Sequence, residues 1–140
     1  MKMRYLVLGA VAALGLAGAA AAADTTLKAS MTGANETPPA DPKGSGTATV
    51  KVSDSGQVCW ELATKDLTGA VAAHIHKGAK GVSGPPVVPL TPPGADGTSK
   101  GCATATADVA KDLVAHPGDY YVNVHTTAFK GGAIRGQLGK

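Results

Sequence analysis

Apolar and polar residues alternate along much of the chain after residue 24. In residues 47–53 (TATVKVS), Ala48, Val50 and Val52 share one parity while Thr47, Thr49 and Lys51 take the other. That period of two marks a strand with one buried face. Residues 54–56 (DSG) then turn the chain back as QVCWELAT, where Val58, Trp60 and Leu62 form the apolar face of a hairpin partner. Residues 26–31 (TLKASM) predict an earlier strand, broken by TGANETPPADPKGSG. Further strands are predicted at 71–77, at 87–90 and at 102–106, with TPPGADGTSKG before the last of these read as a loop. Pro89 restricts the 87–90 strand to a sheet edge, because proline cannot donate to a ladder. Residues 106–115 change period: Val109, Ala110, Leu113 and Val114 form a helical stripe, Thr106 can cap it, and Pro117-Gly118 stops it. Two last strands, DYYVNVHT and GAIRGQL, are joined by TAFKGG. The pattern predicts an all-β, Greek-key sandwich of about seven or eight strands with one short helix.

Composition agrees, with nineteen glycines and nine prolines between short Val, Thr and Ala runs. The first 23 residues differ. Lys2 and Arg4 precede an uncharged Ala- and Gly-rich run, and Ala21-Ala22-Ala23 stands before Asp24. This reads as a secretory signal peptide cleaved after residue 23, leaving residues 24–140 as one domain. An uncleaved membrane anchor is the rival reading, since the run approaches spanning length. No cysteine in this segment offers a lipid anchor.

The formal charge of +3 includes Lys2 and Arg4, so the remainder is close to neutral. Its lysines are scattered singly and make no electrostatic case for nucleic acid or an anionic membrane surface. Two cysteines remain, Cys59 and Cys102. An even count in an exported chain favours a disulfide, with a soft metal-ligand pair as the alternative.

The histidines carry the candidate chemistry. In VAAHIHK, His74 and His76 share a face with Ala72, while Val71, Ala73 and Ile75 take the core side. In DYYVNVHT, Val122 and Val124 mark the core, which puts Tyr121, Asn123 and His125 opposite. In GAIRGQL, Ile134 and Leu138 mark the core, which puts Arg135 and Gln137 opposite. Three strands thus send His74, His76, His125 and Arg135 to the non-core side. Residues two apart on a strand stand about 6.5 to 7 Å apart, and leaning imidazoles can share one ion at about 2.0 Å per bond. The plain alternative is an exposed strand whose polar residues happen to be histidine.

His116, at the end of the helix, is a candidate fourth ligand or a cation suited to the helix C-terminus. Met31 offers copper(I) a thioether, or is a half-buried strand residue. Glu36, in ETPP, is either a solvated loop acid or a group that pairs with Arg135 or hydrogen-bonds a ligating imidazole. Trp60 reads as core by its parity. Catalytic triads, phosphate loops and paired carboxylates have no support, since Glu36 and Glu61 are the two glutamates and there is no G-x-S-x-G.

The blocks ANETPP at 34–39, AAHIHKGAKGVSGPPVV at 72–88, YYVNVHT at 120–126 and GGAIRGQL at 131–138 resemble the CHRD (chordin) domain family. Cys59 in VCWEL and Cys102 in GC look like the cysteine pair of its bacterial members. The resemblance implies an extracytoplasmic all-β domain and brings no settled activity; in animals the domain occurs inside a secreted antagonist of growth factors. Thr37 departs from the aliphatic residue more usual there. The order H-x-H, glycine-rich stretch, V-H on a late strand and Gly-x-x-Arg also looks like copper/zinc superoxide dismutases. That likeness implies copper on His74, His76 and His125, with Arg135 flanking it to steer an anion. The bridging histidine of that family has a counterpart here only if His116 serves.

The leading expectation is an exported copper-binding domain, periplasmic or secreted, with copper preferred to zinc. One rival is a metal-free extracytoplasmic binding or matrix module using the loops at 32–46 and 78–99. Another is a dismutase-like redox enzyme, which needs an open coordination position.

Overall fold

The computed structural model describes residues 24–140, and the leader expected over residues 1–23 lies outside them. Eight strands form one antiparallel sheet: β1 (Thr25–Thr32), β2 (Ser45–Val52), β3 (Gln57–Lys65), β4 (Ala70–Lys77), β5 (Pro86–Leu90), β6 (Thr98–Thr104), β7 (Tyr120–Thr126) and β8 (Ile134–Gln137). A helix, α1 (Ala107–Ala115), lies between β6 and β7. The spatial order is β5-β4-β7-β8-β1-β2-β3-β6. The sheet wraps until β5 and β6 come into contact at the seam, so the expected sandwich is one nearly closed sheet around a single core. Among the described residues no helix is long and apolar enough to cross a membrane.

The β2–β3 hairpin follows its alternation. Ala48, Val50 and Val52 face Val58, Trp60 and Leu62 across the register, and all six are buried. Gly56 closes the turn at φ +87°, a left-handed conformation that costs a side chain dearly. Helix α1 is capped as its sequence predicts, the Thr106 hydroxyl oxygen accepting from Val109 N at 3.3 Å. Asp112 ties its last turn to the sheet by accepting from Tyr120 Oη at 2.5 Å and Lys77 Nζ at 3.0 Å. Cys59 and Cys102 stand opposite each other on β3 and β6 and form a disulfide.

Four expectations need correction. Val71 is 53% exposed rather than core, because the β4–β7 register shifts between Ala70 and Ala72 and breaks the parity there. Met31 is 1% exposed, a core residue rather than a half-buried one. Residues 98–101, read as loop, are the first half of β6, where Thr98 to Gly101 pair with Ala63 to Trp60. The non-core face of β7 is not open to water: Tyr121 and Asn123 are as buried as Val122 and Val124. β7 lies between β4 and β8, and the chain segments around residues 78–84 and 33–41 fold over it. β5 is an end strand, as Pro89 requires.

Candidate metal centre

The covered face of β4, β7 and β8 carries three cross-strand rows. His76 stands opposite Tyr121, which stands opposite Gln137. His74 stands opposite Asn123, which stands opposite Arg135. His125 stands opposite Ala72. Directly opposed side chains on a sheet have Cβ atoms about 4.5–5.5 Å apart, so this register alone gathers the three histidines around Asn123. Each of the three offers one ring nitrogen to a group whose members all lie within 4.8 Å of one another.

Hydrogen bonds decide which nitrogens those are. His76 Nδ1 lies 2.8 Å from Gly84 O, and His125 Nδ1 lies 2.8 Å from Lys130 O. A carbonyl oxygen can only accept, so both Nδ1 atoms carry hydrogen and both Nε2 atoms keep their lone pair. His125 Nε2 sits 3.2 Å from His74 Nδ1, which donates to it in the metal-free state. His76 Nε2 is buried and finds no hydrogen-bonding partner in the described chain. An imidazole pinned through one nitrogen to a main-chain carbonyl, with the other facing two like rings, is the arrangement that orients metal ligands. Two nitrogens on one ion with bonds of about 2.0 Å lie at most about 4 Å apart, so sub-ångström shifts close the group. To ligate through Nδ1, His74 would have to carry its proton on Nε2.

The surroundings of His74 and His76 favour the neutral ring. Burial, then the proximity of His125 and His76, lowers the pKa of His74. Burial likewise lowers that of His76, opposed by its bond to Gly84. Neutral imidazole is the ligating form.

A second layer stands behind the histidines. The Tyr121 ring stacks on His76 at 4.8 Å between centroids, with 9° between planes. Arg135 lies over Tyr121, its guanidinium carbon 3.5 Å from the ring centroid. Arg135 also donates from Nη2 to Ala79 O at 2.8 Å and to Gln137 Oε1 at 2.9 Å, and it is 1% exposed. This corrects one expectation. A guanidinium so enclosed cannot serve as the solvent-facing charge that steers an anion, and it acts instead as a packed brace for Tyr121.

Glu36 is buried, not a solvated loop acid. Burial pushes its carboxyl up, while the Arg135 charge and the Asn123 amide pull it back. Gly132 lies against that carboxylate so closely that a Cβ there would collide with it. Glu36 and Arg135 make no ion pair within 4 Å among the described residues. Among the described residues Glu36 makes no hydrogen bond to a histidine, and its Oε1 is buried without a partner. His116 is outside the histidine group: it is exposed at the end of α1, its Nδ1 bonded to Asp112 Oδ1 at 2.9 Å.

The profile of the CHRD domain family matches residues 27–138. The chain belongs to that family. No curated protein and no solved structure matches it. CHRD domains are of extracellular type, and a Cys59–Cys102 disulfide accords with an oxidising compartment. What the sequence reading of this CHRD domain did not supply is the role of Gly84, Lys130, Tyr121 and Asn123. Parity had already put Tyr121 and Asn123 on the histidine face, and that was the available signal.

Proposed function

We propose that this CHRD domain is an exported copper-binding domain, with His74 Nδ1, His76 Nε2 and His125 Nε2 as ligands. The observation that supports this reading is the tautomer pattern: two rings are fixed by carbonyls so that their free lone pairs meet the third ring. A chance set of strand histidines has no reason to converge while their other nitrogens are anchored. Three imidazoles suit zinc and copper alike, and copper(II) has the higher intrinsic affinity for such a set. Copper handling, binding and delivery in an oxidising compartment fit the site better than dismutation, because the buried Arg135 leaves the dismutase-like reading without its steering charge.

Calorimetric titration with copper(II) tests the proposal. The unsubstituted protein is expected to bind one ion. His74→Ala, His76→Ala and His125→Ala should each weaken binding by about 100-fold or more, since even partners behind metal ligands cost 10–100-fold. His116→Ala should change it by less than about twofold, because that ring is committed to Asp112. Tight binding by His125→Ala would sink the three-histidine site and return the domain to a metal-free binding module.

A further inference from the structure

Asn123 is the residue at the centre of the three rows, and nothing in the fold accounts for it. It is 2% exposed, directly opposite His74 and two positions before His125 on the same face of β7. His76, two residues beyond His74 on β4, is its diagonal neighbour. Its Oδ1 is buried without a hydrogen-bonding partner in the described chain, as is the Nε2 of His76. A buried amide oxygen left unpaired destabilises a fold, and native structures rarely tolerate one without a reason.

Asn123 stands opposite His74, with His76 its diagonal neighbour and His125 two residues along the same face, so its side chain shares the covered face of the sheet with all three rings. With His76 Nδ1 committed to Gly84, Nε2 of His76 keeps its lone pair, and it and Asn123 Oδ1 are both buried acceptors without a partner among the described residues. A cation at the histidine group would supply a partner to both.

Resting on the three-histidine reading, we propose that Asn123 Oδ1 is the fourth donor to the ion held by His74, His76 and His125. The site then offers three imidazole nitrogens and one neutral oxygen. Mixed nitrogen and oxygen donors in tetragonal arrangement suit copper(II).

The test titrates copper(II) into the unsubstituted chain, Asn123→Ala and Asn123→Asp, and records the electron paramagnetic resonance spectrum of each loaded form. Asn123→Ala should bind about tenfold or more weakly and alter the copper hyperfine splitting. Asn123→Asp should bind more tightly than the unsubstituted chain, because it places a charged oxygen where the neutral one stood. If Asn123→Ala weakens binding but neither variant alters the spectrum and Asn123→Asp gains nothing, Asn123 merely shapes the pocket and the proposal falls. Should the alanine variant fail to fold, double-resonance spectroscopy on unsubstituted protein carrying 13C-amide asparagine decides. A strong carbon coupling that survives Asn35→Ser supports ligation, and its absence overturns it. Unsubstituted protein that binds no copper overturns the three-histidine reading and this one with it. Normal binding with indifferent Asn123 variants overturns this one alone.

Discussion

His76 and His125 each have one ring nitrogen held by a main-chain carbonyl, whereas Glu36 Oε1 is buried with no hydrogen-bond partner among the described residues. That contrast governs how each responds to substitution and pH. The Glu36 carboxyl has a folded-state pKa raised above its ordinary value, chiefly by burial. The unfolded chain therefore loses this proton first as pH rises. Stability from Glu36 is full below about pH 4.5, the ordinary glutamate value, and is lost as pH climbs through the raised pKa. Glu36→Gln removes that loss, so metal-free Glu36→Gln should melt higher than the unsubstituted protein at pH 7.5, with a smaller difference at pH 4. Equal melting temperatures at both pH values would show that the carboxylate carries no burial penalty. At this scale the sequence disclosed the face of each residue but not its burial. Alternation is local, so the parity of His74, His76, Asn123 and His125 was legible. The carbonyls of Gly84 and Lys130 come from segments that fold back, and nothing in HIH or VHT announces them.

Strand β6 is an end of the sheet, paired along one side with β3, and the disulfide joins the two at opposed positions. An end strand lacks half the ladder that a central strand has, so the covalent link matters most there. The bridge closes a loop with a sequence separation of 43, and for about that length the chain-entropy model gives roughly 4 kcal/mol of stabilisation. Reduction, or Cys59→Ala with Cys102→Ala, should lower stability by up to about that amount and speed amide exchange in β6 before β4 or β7. Thiol counting on unfolded, unreduced protein should find none free. Two free thiols, or uniform exchange after reduction, would contradict this. The first half of β6 was not legible because TSKG is polar and ends in glycine. Its strand character comes from pairing with β3, and Gly101 is required because a Cβ there would sit 2.5 Å from the Trp60 ring. The β2–β3 hairpin and α1 were legible because their signals, period-2 alternation around DSG and a Thr cap before a helical stripe, are local. Val71 was misplaced by a register shift that no pattern within β4 encodes.

For the whole molecule, His74, His76 and His125 belong to adjacent strands in the middle of one half of the sheet, so on the proposed reading copper binding and folding would be one equilibrium. An ion that binds the folded chain stabilises it by about 2.7 kcal/mol when free metal is 100 times the dissociation constant. Protons oppose this through His74 and His76. Both have folded-state pKa values lowered, first by burial, with His125 adding to each and Arg135 adding to His76. In the unfolded chain these rings take protons as pH falls through about 6.5, while in the folded chain they stay neutral to a lower pH. Metal-free stability contributed by these rings is therefore full above about 6.5 and declines as pH falls toward the lowered values. The proposed copper site needs neutral rings, so the lowered pKa values of His74 and His76 should let its added stabilisation persist to a lower pH than two ordinary imidazoles would allow. The rise in melting temperature caused by copper at pH 6.5 should thus remain close to that at pH 7.5 and collapse at lower pH. In His74→Ala/His76→Ala the copper-induced rise should be nearly absent at every pH. A rise that halves between pH 7.5 and 6.5 would mean that the rings titrate as exposed histidines do. A rise that survives in the double variant would place the copper elsewhere on the domain.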